Sequence, residues 1–214
     1  MIYFEDTLNL EPASPTTMDK LVDYAQEEIV PACADAGVRI LAAWYSHTEW
    51  FGQVRHVYEF EDFASFGKHW DRLKNDSRWI EIEKKLDEMA PQRKFNLLED
   101  LNGIPAAVTQ KAIEDSAENP LGKYSLAILH VVPGMLEQFR VSLAQSDGAF
   151  PIVASWTPVT GNKNVFIDVW KGAIAQEAYA PANEEMKAFF ENLRPTAPRE
   201  KVINVFTLPY STLK

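Results

Sequence analysis

The feature that most limits what this chain can fold into is an order of elements that occurs twice. Ile2 to Leu10 alternates like a half-buried strand. Ser14 and Pro15 mark a helix start, a hydroxyl N-cap followed by a proline where no amide is missed. Apolar residues at Met18, Leu21, Val22, Ala25 and Ile29 keep helical spacing, Pro31 predicts a kink, and Gly37 predicts the stop. Strands over 39–47 and 53–61 follow, joined by a loop with Trp50, Phe51 and Gly52, which reads as a hairpin. Asp62 opens a helix bearing Phe63, Phe66, Trp70 and Leu73. Asp76 caps the next, with Trp79, Ile80, Ile82, Leu86 and Met89. A strand over 93–99 closes a β-α-β-β-α-β unit. After a weakly patterned stretch at 101–122 the order recurs: a strand at 123–131, a helix with Leu136, Phe139 and Leu143, and a hairpin of strands 151–157 and 164–170. Helical segments with Met186, Phe189, Phe190 and Leu193 and a strand at 201–208 complete it. Trp44 and Trp156 lie 112 residues apart, Phe60 and Trp170 110, and Pro12 and Pro133 121. The copies therefore share a frame with small adjustments of length.

A four-stranded antiparallel sheet with helices on one face leaves its other face bare. Here that face would include Leu41, Ala43, Tyr45 and Val57, too apolar to be left in water. Covering it with the equivalent sheet of the second copy is the economical solution. The expected fold is α+β: two tandem ferredoxin-like halves, residues 1–100 and 123–214 with a linker at 101–122, packed sheet to sheet as a pseudo-dimeric α+β barrel.

Composition narrows the function classes. The chain has 214 residues, 46% hydrophobic and 24% charged, as ordinary globular proteins do. A formal net charge of -10 argues against nucleic acid or an anionic membrane as partner. The single Cys33 allows no internal disulfide and no cysteine-based zinc site, which fits a reducing interior. The opening MIYFEDTLNLEP lacks the basic start and apolar run of a signal peptide, and no stretch approaches the roughly 20 apolar residues of a membrane helix. A cytoplasmic protein without membrane insertion is expected. His47, His56, His69 and His130 stand at no metal-ligand spacing, and nucleotide-binding and hydrolase motifs are missing, so no metal and no cofactor are expected.

The stretch QVRHVYEFED (53–62), the helix after it and the NDSRW turn (75–79) resemble the signature of the NIPSNAP family. The opening strand, Pro12 and the helix interrupted by Pro31 and ended by Gly37 are similar too. The resemblance covers residues 1–100 well and 123–208 more loosely. It implies a member of the dimeric α+β barrel superfamily, which includes cofactor-independent monooxygenases, polyketide cyclases, heme-degrading oxygenases and chlorite dismutases. It also implies a ligand entering between sheet and helices. Membership fixes the fold far better than the reaction.

Pairing residue 44 with 56 puts Ile40, Ala42, Trp44 and Ser46 on one face with Val54, His56, Tyr58 and Phe60. This is the more aromatic face, so it is assigned to the helix side with Phe4, Asp6 and Phe95. His56, Asp6 and Tyr58 are the candidate catalytic residues: a histidine that can move a proton near neutral pH, an acid to orient it, and a phenol to hold a developing enolate. Trp44, Phe4, Phe60 and Phe95 would wall in the substrate. His56 matches a histidine of the family hairpin, whereas Asp6 stands where the family often has arginine. In the second copy, Phe166 is expected to match His56, and Asp168 to match Tyr58 as a buried carboxylate in need of a partner, unless a small register shift puts it on the barrel face. Two equivalent active sites are not expected.

These residues point to a cofactor-independent cyclase, isomerase or oxygenase acting on a small planar or apolar molecule. The alternatives are a non-catalytic binding or scaffold protein, or a binder of heme or another large planar ligand. A homo-oligomer of the two-copy chain is compatible with each.

Overall fold

The computed structural model describes residues 1–101, 104–145, 150–172 and 183–214. Among the described residues there are eight strands, each antiparallel to the strands it pairs with inside its own unit. They are β1 (Ile2–Asn9), β2 (Arg39–Ser46), β3 (Gln53–Phe60), β4 (Gln92–Asp100), β5 (Lys123–His130), β6 (Ile152–Pro158), β7 (Val165–Lys171) and β8 (Arg199–Thr207). The mixed α+β class expected from the repeated element order is the one formed. Two compact units divide the chain: unit 1 holds Met1–Leu98 and Phe206–Lys214, and unit 2 holds Glu99–Val205.

In unit 1, Ser14 caps helix α1 (Pro15–Tyr24), its Oγ accepting from the Thr17 amide at 3.2 Å. Pro31 has no amide to give to the helix, and the chain absorbs this with a π-helical turn (Ala25–Ile29) ahead of α2 (Val30–Ala36). The Val30 amide bonds five residues back, to Ala25, so the wider turn accommodates the proline with little break in the rod. Gly37 ends it at φ +66°, where a side chain would be strained. Asp62 caps α3 (Phe63–Asn75), and Asp76 caps α4 (Ser77–Met89) through the amides of Arg78 and Trp79. The apolar stripes of these helices and one face of the sheet meet in a core of Phe4, Leu8, Leu21, Ile29, Ala43, Val54, Tyr58, Trp79, Ile82 and Leu86.

The first hairpin departs from regular alternation. Ile40 pairs with Tyr58, but the next pairs are Ala42 with Val57, Ala43 with His56 and Trp44 with Arg55. Leu41 is the extra residue of a β-bulge, and beyond it every side chain of β2 changes face. Ala43 and Tyr45 therefore join the helix-side core, while Trp44 lies opposite Arg55 on the other face. This corrects the expected pairing of 44 with 56.

Phe206–Lys214 complete unit 1. Phe206 pairs with Tyr45, and Thr207 with Trp44. A strap then runs along β2: the Leu208 amide donates to the Ala43 carbonyl at 2.8 Å, and the Leu213 amide to the Leu41 carbonyl at 2.9 Å. The Ala43 amide in turn donates to Ser211 Oγ at 3.0 Å.

Unit 2 has its own helices, α5 (Ala106–Glu118), α6 (Leu136–Gln145) and α7 (Glu184–Leu193). The first lies within the stretch read as a linker. Its hairpin repeats the bulge: Ile152 pairs with Trp170, then Ala154 with Val169, Ser155 with Asp168 and Trp156 with Ile167. The two hairpins thus match at a constant spacing of 112, with Asp168 at the position of His56 and Trp170 at that of Tyr58. Aligning Phe60 with Trp170 as bulky aromatics placed the second copy two residues out.

Candidate functional site

Strand pairing assembles the site in unit 1. Asp6 of β1 lies opposite His56 of β3, and Phe4 opposite Tyr58. All four face the helices, and His56 is 0% exposed. Its Nε2 lies 2.7 Å from Tyr210 Oη on the strap, and its Nδ1 lies 3.3 Å from Tyr58 Oη. Burial, with the nearby Arg93 charge, draws the His56 pKa down to about 3, so the imidazole is neutral at physiological pH. Burial raises the pKa of both phenols, that of Tyr58 well above the ordinary value. The result is an uncharged chain of phenol, imidazole and phenol, with Tyr210 its partly exposed end.

Asp6, 1% exposed, does not bond to His56. Arg93 of β4 takes its carboxylate, Nη2 to Oδ2 at 2.6 Å and Nε to Oδ1 at 3.3 Å, and also reaches Glu83 and Asp87 at 2.8 Å each. Burial pushes the Asp6 carboxyl up to about 6 even against this arginine. The acid expected to orient His56 is the partner of Arg93 instead, and the two tyrosines orient the imidazole.

The aromatic residues are brought together except for Trp44, which the bulge turns to the opposite face. Phe4 stacks on Tyr58 at 6.0 Å and on Phe95 at 5.3 Å, with Phe66 and Trp70 at 5.7 and 5.8 Å. Phe95 is 44% exposed, so the stack runs from solvent to the buried Tyr58. Phe60 packs on Phe66 at 5.6 Å and on His69 at 5.2 Å. His69 is buried too, 4.8 Å from Trp79 and 6.1 Å from Tyr58, and burial, then Arg72, pulls its pKa down to about 4. Its place three residues after Phe66 on the apolar stripe of α3 was the available signal. Tyr210, beyond the last predicted strand, had none.

The other face of this sheet is not the apolar surface expected. Arg55 Nη1 donates to Glu5 at 2.6 Å, and its Nη2 to Glu49 at 2.7 Å and Gln53 at 3.0 Å. Asn96 donates to the second Glu5 oxygen at 2.6 Å, and Gln53 to Asn9 at 2.9 Å. Buried charge is thus held by hydrogen bonds on both of its carboxylate oxygens. Surface grooves of about 520 and 480 Å3 in unit 1 lie elsewhere, the first lined by Leu73, Ile80, Glu83 and Asp87, the second by Pro12, Thr17, Tyr24 and Met89.

The sequence from 13 to 97 matches the family model described as NIPSNAP. The matched stretch lies within unit 1. Two solved structures resemble the whole chain, each named "putative monooxygenase". The one from Lactobacillus acidophilus NCFM is 14% identical with a TM-score of 0.63, covering 95% of this chain and 92% of that one. The one from Fusobacterium nucleatum is 13% identical with a TM-score of 0.62, covering 97% and 92%. At this identity they show the fold. No curated protein matches the sequence. Among the described residues no helix is long and apolar enough to cross a membrane. No group of three or more His, Cys, Asp and Glu among them is placed to hold a metal ion.

Proposed function

We propose that unit 1, which holds the stretch similar to NIPSNAP, binds a small planar or apolar molecule against the Phe95–Phe4–Tyr58 stack and acts on it by cofactor-independent acid–base chemistry, of the cyclase, isomerase or oxygenase type. The Tyr210–His56–Tyr58 chain is the observation that carries this reading. An imidazole with a pKa near 3 is a poor free-standing base at neutral pH. It is well suited to relay a proton: Tyr210 Oη–H donates to Nε2 while Nδ1–H donates to Tyr58 Oη, and reversing both bonds exchanges the tautomer. No charge is created in a site where charge is expensive. The name of the two structural neighbours supports oxygen chemistry as one member of this class.

The closed packing around His56 favours a second reading, a non-catalytic binding protein. Hydrogen–deuterium exchange at C2 of 1-tetralone in heavy water, followed by NMR, tests both. The relay predicts exchange by the wild-type protein that falls about 100- to 10,000-fold in His56→Gln, and by less in Tyr210→Phe. A raised melting temperature with 1-tetralone or 1-naphthol but no exchange supports the binding protein. Neither effect would sink the site.

A further inference from the structure

Unit 2 repeats the strand register of unit 1 without its chemistry. At the positions of His56 and Tyr58 it carries Asp168 and Trp170. Asp168 is 2% exposed, lies between Ala127 of β5 and Ser155 of β6, and accepts from Ser155 Oγ at 2.5 Å. Burial, with a smaller push from Glu200, which is itself paired with Arg194, raises its carboxyl to about 7. Trp170 is also 2% exposed, and its buried indole Nε1–H has no hydrogen-bond partner among the described residues. The surroundings are aromatic: Phe166 with Phe139 at 4.3 Å, and Phe190 near-parallel to Trp170 at 6.3 Å. A core needing only to be filled would be more stable with apolar side chains at both positions, because a buried carboxyl served by one hydroxyl and a donor without an acceptor each destabilise it. Two such groups side by side in an aromatic setting mark a site that a ligand completes.

We propose that the helix-facing side of unit 2 is a second binding site, for a planar fused-ring molecule with a hydroxyl at one end and a carbonyl at the other. The hydroxyl donates to the Asp168 carboxylate, and the carbonyl accepts from the Trp170 indole. Residues two apart on a strand point the same way at a separation of about 6.6 Å, which is roughly the span of two fused rings. The aromatic neighbours supply the faces on which the rings stack. Unit 2 has no imidazole at this place, so the site binds its ligand without relaying protons. It stands apart from the unit 1 reading and does not depend on it.

Titration of the full-length, 15N-labelled protein with 6-hydroxy-1-tetralone tests the proposal. The indole N–H resonance of Trp170, assigned by its disappearance in Trp170→Phe, should move downfield as the carbonyl accepts from it. 1-Tetralone lacks the hydroxyl and 5,6,7,8-tetrahydro-2-naphthol lacks the carbonyl, and each should bind about tenfold more weakly at this resonance. Asp168→Asn should weaken the parent probe by a similar factor while melting no lower than wild type. A Trp170 resonance unmoved at millimolar probe overturns the site. So do equal affinities for the three compounds, or a lower melting temperature in Asp168→Asn, which would make the carboxylate a structural group. His56→Gln should leave this titration unchanged, whatever becomes of proton exchange in unit 1.

Discussion

His56 couples the unit 1 site to the acid stability of the fold. An unfolded imidazole takes up a proton near pH 6.5, but the folded one resists until about 3. Below 6.5 the unfolded state therefore binds more protons, and stability falls with pH on account of this residue. Asp6 and Asp168 act in the opposite sense: their folded values of about 6 and 7 lie above the ordinary 3.8, so each adds stability as pH falls through them. The comparison that isolates His56 is wild type against His56→Gln in urea at pH 7 and pH 5. The gap should move by about 2 kcal/mol in favour of the variant on acidification, at roughly 1.4 kcal/mol per pH unit over the 1.5 units below 6.5. A constant gap would show that His56 titrates normally. Arg93 is the other sensitive residue. Replacing it in Arg93→Met leaves the Asp6 carboxylate buried without its cation and should destabilise by about 3–5 kcal/mol. The double variant with Asp6→Asn should recover part of that loss in the same urea titrations.

The bulges at Leu41 and Val153 decide which side chains share a face. Helix starts at Ser14, Asp62 and Asp76, the hairpins and the repeated order of elements were legible because caps and periodicity are local. The partners of His56 were not. A one-residue bulge leaves no mark in an alternating apolar strand, so Trp44 read as a wall of the site while Tyr45 read as barrel-facing, and the structure reverses both. Asp6, Phe4, Tyr58 and Phe60 share a face with His56, as the alternation implied, because β1 and β3 pair without irregularity. Arg93 was missed because a lone arginine at the start of a strand reads as surface. The reversal has a measurable consequence. Trp44→Ala should destabilise by about 3–5 kcal/mol as a buried tryptophan. The His56 and Tyr58 ring resonances should hold their shifts, being on the opposite face of the sheet. Large shifts in those rings would place Trp44 back beside them.

Unit 1 is assembled from two separated pieces of chain, which gives residues 206–214 a disproportionate influence. Removing 209–214 takes away Tyr210 and the bonds that Ser211 and Leu213 make to Ala43 and Leu41. The truncated protein should melt lower, and the Ala43 amide, bonded to the Ser211 hydroxyl in the intact chain, should exchange with deuterium much faster. Amides in β5 and β7 of unit 2 should keep their protection; equal loss there would mean that the strap stabilises more than unit 1. The same discontinuity bears on synthesis. A ribosome releases β1 to β4 and the whole of unit 2 before the strap emerges. Until then the bulged strand has no partner for the Leu41 carbonyl or the Ala43 amide, and His56 has no phenol at Nε2. The most deeply buried histidine of unit 1 is therefore enclosed only when residue 210 arrives, so unit 1, though begun first, is finished last.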